Sequence, residues 1–127
     1  MIYRDGPPVD PAQLQALFVA IGWGERDHAW LVAIVEGSRW VVTAWEGERL
    51  VGFTRALSDG IDNAYVSMVA VQPNDQGRGI GREMMHRLMA GRDHVKFVLH
   101  TQPGAKGLYR GCGFVDAPDM MVRERRG

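Results

Sequence analysis

Cysteine is nearly absent from this chain: Cys112 stands alone among 127 residues. A single thiol cannot close an intrachain disulfide, which is the expectation for a chain kept in a reducing compartment, here the cytoplasm. Net charge is lacking too. Lys and Arg number 15 and Asp and Glu number 15, so no excess of one sign steers the chain toward acidic or basic partners. Basic residues are scattered apart from Arg123, Arg125 and Arg126, and no nucleic-acid partner is expected. No apolar run approaches the roughly 18 to 20 residues that cross a bilayer. The opening Met1 to Gly6 has no apolar leader stretch, so neither export nor a membrane partner is expected. His28, His86, His94 and His100 are dispersed and no Cys/His cluster has zinc spacing, so no metal is expected.

What remains is an ordinary globular composition, 46% hydrophobic and 24% charged, with no linker or repeat. That predicts one domain over residues 1–127. A short strand at Ile2 to Arg4 precedes a strong helix start, with Asp10 as N-cap, Pro11 at the first helical position and Gln13 at the capping-box position. Leu14, Leu17, Phe18 and Ile21 give that helix one apolar face, and Gly22 ends it. A second helix is predicted over Asp27 to Val35. Strands follow at Trp40–Trp45, Leu50–Leu57 and Ala64–Val71, with turns at Glu46-Gly47-Glu48 and Ser58–Asn63. Ile80, Met84, Met85, Leu88 and Met89 make an amphipathic helix. Val95–Leu99 reads as a strand buried on both faces. A short helix at Ala105–Arg110 and a last strand at Asp119–Arg123 complete the order β-α-α-β-β-β-α-β-α-β. A run of hairpins followed by strand–helix–strand implies an α/β fold in the α+β sense, a mixed sheet with helices on both faces.

Between the Ala64–Val71 strand and the Ile80 helix lies Gln76-Gly77-Arg78-Gly79-Ile80-Gly81. A glycine-rich turn at a helix N-terminus offers several unpaired N–H groups and the positive end of the helix dipole, a site for phosphate. The spacing excludes two phosphate binders. A dinucleotide fingerprint needs glycine where Arg82 stands, and a P-loop needs Lys-Ser/Thr where Arg82-Glu83 follow.

The pattern Gln/Arg-x-x-Gly-x-Gly/Ala does fit, with Gln76, Gly79 and Gly81 in place. It resembles the acetyl-coenzyme A loop of the GCN5-related N-acetyltransferases. About thirty residues on, Ala105-Lys106-Gly107-Leu108-Tyr109-Arg110-Gly111-Cys112-Gly113-Phe114 is similar to that family's Ala-x-x-Leu-Tyr-x-x-x-Gly-Phe signature. The resemblance implies a mostly antiparallel sheet whose fourth strand carries a bulge and splays from the fifth. The pantetheine arm would bond the main chain of Met68, Val69 and Val71. The pyrophosphate would rest on the amides of Gly77, Arg78, Gly79, Ile80, Gly81 and Arg82, with Arg78 and Arg82 adding charge. Gln102 stands where relatives carry an Asn that meets the pantetheine. Small members of the family place their first two helices on the substrate side; dimers are frequent among them, and the last strand offers an edge through which a homodimer could pair, the oligomeric state staying open.

The implied reaction is direct acetyl transfer from acetyl-coenzyme A to a small-molecule primary amine. Tyr109 matches the tyrosine that protonates or hydrogen-bonds the departing sulfur. The oxyanion donor is expected near the Val69 amide. The fourth-strand carboxylate that many relatives use as a base is missing, since Ser67 and Met68 occupy its positions. His100, or Asp59 or Asp62 through water, are the remaining candidates, and the base stays unassigned. Trp23, Trp30, Trp40 and Trp45 either line an aromatic-amine pocket or pack the core. Two further readings stay open: acetylation of a protein or peptide amine, and a coenzyme A-binding module without turnover.

Overall fold

A computed structural model describes residues 1–127. Five strands form one sheet in the order β1-β2-β3-β4-β5. They are β1 (Ile2–Asp5), β2 (Trp40–Glu46), β3 (Arg49–Ser58), β4 (Asn63–Val71) and β5 (Lys96–Leu99). The first three pairings are antiparallel and β4–β5 is parallel. This is the mixed, mostly antiparallel sheet the element order implies. α1 (Pro11–Ala20) and α2 (His28–Glu36) cover one face, while α3 (Ile80–Met89) covers the other and is joined there by the short α4 (Lys106–Arg110).

Alternation along the strands divides the apolar residues between two cores. Val41, Leu50, Phe53 and Ala70 meet Leu14, Leu17 and Phe18 of α1 and Leu31 of α2. Val42, Val51, Ala56 and Val66 meet Ile80, Met84, Met85 and Leu88 of α3. The contact with α3 is close: a Cβ added at Gly52 would lie 2.9 Å from Met84 Sδ.

The α1 start forms as predicted in one respect and departs in another. Asp10 Oδ1 accepts from the Ala12 amide at 3.0 Å. Gln13 does not reach back to close a capping box. Its Oε1 accepts from the Leu50 amide at 3.0 Å, and its Nε2 donates to the Glu48 carbonyl. The start of β3 has an orphan backbone pair there, and α1 lies near enough for one amide side chain to satisfy both groups.

Two expectations at the C-terminal side are overturned. Asp119–Arg123 forms no strand, and Met121 is 95% exposed. A strand needs a ladder partner, and the chain is held elsewhere. Asp116 pairs with Lys106 and Arg110, both at 3.2 Å, tethering the segment to α4 instead of returning it along β5. The last-strand edge through which two subunits could pair is therefore absent. β5 in turn is a half-buried edge strand instead of a central one. A short apolar run does not by itself separate the two cases.

Replacing Gln13 by Ala removes the acceptor for the fully buried Leu50's amide. A buried unsatisfied donor costs about 1–3 kcal/mol, so Gln13→Ala should lower unfolding free energy by that amount in urea titration. Unchanged stability would show that the two bonds are replaced by water.

Candidate active site

The site is built around an interruption in β4. The β4–β5 ladder runs from Asn63↔Lys96 to Val66↔Leu99 and stops. At the same place the β3–β4 register slips: Ala56 pairs with Val66, Arg55 with Met68, and Ser67 is the extra residue. This is a β-bulge. Beyond it, Met68, Val69 and Val71 lie on a stretch of β4 with no strand along its outer side. The bulge and the splay expected from the family resemblance are both present.

β4 runs into a 3-10 turn at Pro73–Asp75 and then into the glycine loop. Gly77 and Gly79 have φ of +82° and +80°, a left-handed conformation that costs other L-residues about 1–2 kcal/mol. A Cβ at either would meet no atom within 4 Å, so the backbone angle, and not crowding, calls for glycine. Gly81 is different: its added Cβ would make ordinary contact with Leu108 Cδ2 at 3.5 Å. The first hydrogen bond of α3 runs from the Glu83 amide to the Gly79 carbonyl at 3.0 Å. The six amides from Gly77 to Arg82 donate to no oxygen of the chain. The last three of them point out of the helix end as any α-helix requires. Six free donors beside a helix N-terminus suit a diphosphate.

The side chains around this loop do other work. Gln76 Nε2 donates to the Val71 carbonyl at 3.2 Å, stitching the loop to the end of β4. The Arg78 guanidinium, expected to add charge near the phosphates, donates to Asp75 at 2.7 Å and Glu46 at 3.1 Å. Asp75 is the feature the sequence reading missed. Its carboxylate is almost fully buried, only 4% of the residue being exposed, and it also accepts from Arg49 at 2.9 Å. The bonds from Arg49 and then Arg78 hold its carboxyl below the usual carboxylate range. It ties the β2–β3 hairpin to the loop. An isolated Asp in Pro-Asn-Asp carries no signal of two arginines arriving from residues 49 and 78. Arg82 stays exposed.

α4 packs on the N-terminal turn of α3 through Leu108, which brings Tyr109 to the loop's side of the molecule. Tyr109 is 8% exposed and meets Phe114 edge-on at 5.9 Å. Its hydroxyl has no partner within the chain. Burial, with a smaller contribution from the Cys112 thiol, pushes its pKa up, so it is a protonated donor at neutral pH. Gln102 is exposed with its side chain unbonded, and its carbonyl accepts from the Ala105 amide at 3.0 Å.

On the opposite face of the sheet, a cavity of about 330 Å³ opens beside the bulge, lined by Phe18, Trp23, Arg26, Trp30, Ser67 and Met68. Local sequence builds its wall. Gly22, at φ +86°, closes α1 with the Gly22 amide on the Val19 carbonyl and the Trp23 amide on the Phe18 carbonyl, a Schellman end. This turns the Trp23 ring against Phe18, with centroids 5.2 Å apart. Gln15 then clamps both the amide and the carbonyl of Arg26, at 2.8 and 2.9 Å. The Arg26 guanidinium lies over Trp30, 5.0 Å from the ring centroid. The four tryptophans thus divide: Trp23 and Trp30 line the cavity, while Trp45 is buried with its Nε1 on Thr43 and Trp40 packs against Phe97.

The candidate bases fare unevenly. Asp59 Oδ1 accepts from the Ile61 and Asp62 amides at 2.8 and 2.9 Å, which lowers its pKa and commits it to its own turn. Asp62 is bonded by Asn63 at 3.0 Å. Four residues of β4 lie between Asp62 and Ser67, a rise on the order of 15 Å. His100, just past β5, meets the Tyr65 ring edge-on at 5.9 Å.

A family description, Acetyltransferase (GNAT) domain, matches residues 24–126. The chain belongs to the GNAT acetyltransferase family. Its similarity to a chloroplastic serotonin N-acetyltransferase of Oryza sativa is 34% identity over 94% of this chain and 64% of that protein. A histone acetyltransferase of Glycine max is 31% identical over 94% of this chain and 58% of its own length. The chain thus spans less than two thirds of these plant proteins. In fold it is similar to a GNAT-family acetyltransferase of Streptococcus pneumoniae, with a TM-score of 0.79, 22% identity and 98% of each chain covered.

The ion-paired Asp75 gives this GNAT loop an acid-sensitive anchor. Its pKa is depressed in the fold, so its stabilisation is fully present above the unfolded value of about 3.9 and is lost as pH falls through the lower native value. Asp75→Asn should be less stable than the wild type by a constant margin between pH 5 and 8, and the margin should shrink below about pH 4. Urea unfolding at pH 7 and pH 3 reads this; a margin independent of pH would remove the charge from the explanation.

Proposed function

We propose that the chain transfers an acetyl group from acetyl-coenzyme A to a primary amine of a small molecule. The observation that carries this is the two-sided opening at the β4 bulge. Free amides and an unpaired strand edge lie on one side of Ser67–Val71, and a compact aromatic cavity lies on the other. A donor seated on the first and an acceptor seated in the second meet at the same few residues of β4. The cavity is at the small end of ligand-site volumes, which suits a small acceptor better than a peptide groove. The name of the rice relative, a serotonin N-acetyltransferase, supports an aromatic amine acceptor, whereas that of the soybean relative supports a histone.

Acetyl-coenzyme A would supply an activated thioester. The chain's own residues would hold and polarise it. The amides of Gly77 to Arg82 would take the diphosphate, and the main chain of Met68, Val69 and Val71 the pantetheine arm. The Val69 amide is the proposed donor to the acetyl oxygen. In the transfer, the amine nitrogen would bond to the acetyl carbon as the carbon–sulfur bond breaks; the sulfur would take the Tyr109 proton, the amine proton would leave to water, and water would return a proton to Tyr109. The raised pKa of Tyr109 keeps its hydroxyl protonated at neutral pH, so it is available as a hydrogen-bond and proton donor and not as the base.

Release of coenzyme A thiol, measured across a panel of small primary amines and lysine peptides, tests the assignment. Turnover is expected with small amines and little or none with peptides. Tyr109→Phe should lower kcat by about 10²-fold, the scale of positioned acid catalysis, and change the affinity for acetyl-coenzyme A much less. Binding of the donor without thiol release from any amine would favour the coenzyme A-binding module; peptide preference would favour the protein acetyltransferase.

A further inference from the structure

The cavity wall contains an arginine and no carboxylate, and a second arginine stands behind it. Arg55 lies on β3 opposite Met68 at the bulge. Its Nη2 donates to Ser67 Oγ at 3.1 Å, and its Nη1 lies 3.5 Å from Ser38 Oγ. Its Nε is buried with no partner at all. None of the chain's ion pairs includes it. Burial lowers its pKa from the usual arginine value, yet a guanidinium stays charged. Two serine hydroxyls orient this cation without neutralising it. A cation partly withdrawn from water and left without an anion is held at a cost that an arriving anion would relieve.

We propose that the acceptor amine carries a carboxylate, held by Arg55 together with the Ser67 hydroxyl, and an aromatic body enclosed by Phe18, Trp23 and Trp30. This rests on the acetyltransferase reading and specifies its acceptor: an aromatic amine bearing an acid, of the amino-acid or aminobenzoate kind. Arg26, fixed over Trp30, adds positive charge from the α2 side. The same arrangement gives a reason for the missing carboxylate base. An acid at Ser67 would neutralise Arg55 and repel the substrate's carboxylate. Serotonin, named for the rice relative, has no carboxylate, so the two acceptors would differ by this charge.

The test compares matched acceptors, tryptophan against tryptamine and 4-aminobenzoate against aniline, by thiol release from acetyl-coenzyme A. In the wild type, kcat/KM should favour the acid in at least one pair by about tenfold to a hundredfold, as a charge-assisted hydrogen bond to a half-buried guanidinium allows. In Arg55→Met the ratio should fall toward one, and Arg55→Lys should restore part of it. Equal use of both members in both pairs, a preference for the amines without acid, or a preference retained in Arg55→Met would each overturn the proposal. The wild-type comparison stands even where Arg55→Met does not fold. Acetylation of other amines with neither pair accepted would overturn the acceptor class alone. Absence of thiol release with every amine would overturn the acetyltransferase reading as well.

Discussion

The structure turns on one interrupted hydrogen-bond ladder. β4 pairs with β5 for four residues and then parts from it at the Ser67 bulge. A continuous sheet would have satisfied the main chain of Met68 to Val71 with protein groups and left nothing for a ligand to join. Stopping the ladder there frees a strand edge while β3 still holds the other side of β4 rigid. The departure also directs the chain into the turn that ends in six unpaired amides. The open strand edge and the loop are thus consequences of one early end to strand pairing.

Rigidity around the opening comes from elements that each use a different physical device. On the loop side, a buried carboxylate with two arginines ties Pro73–Asp75 to the hairpin. On the cavity side, a helix end built on Gly22 and a clamp from Gln15 fix Trp23 and Arg26. On the α3 side, Leu108 against Gly81 holds α4 and its tyrosine to the loop. None of these groups needs to meet a reacting atom. Each sets the place of a neighbour that is proposed to, which is how short loops keep a site within fractions of an ångström.

Much of the fold was legible because its signals are local. The Asp10-Pro11 cap, the α3 stripe and the Gly47 turn each specify an element from a few neighbouring residues. The glycine loop was legible for a similar reason: positive φ at Gly77 and Gly79 leaves little choice of residue. The last strand was misread because a β pattern records only that a segment could join a sheet. Whether it does depends on an edge and on competing tethers, here Asp116 with Lys106 and Arg110. Gln13 was misassigned to a local capping box because its real partners, Glu48 and Leu50, are distant along the chain.

By itself, the amino-acid sequence determined the element order as far as α4, the glycine-rich loop, the tyrosine signature and the family, since these rest on residue types at short fixed spacings. Only the tertiary structure decided which two tryptophans face the cavity and that Arg78 spends its charge on Asp75 and Glu46. It also decided that Arg55 lies beside Ser67 with no anion. The Arg55–Ser67 and Arg78–Glu46 pairs lie 12 and 32 residues apart along the chain, and electrostatic energy and burial depend on distance in space, which the order of residues along the chain does not record.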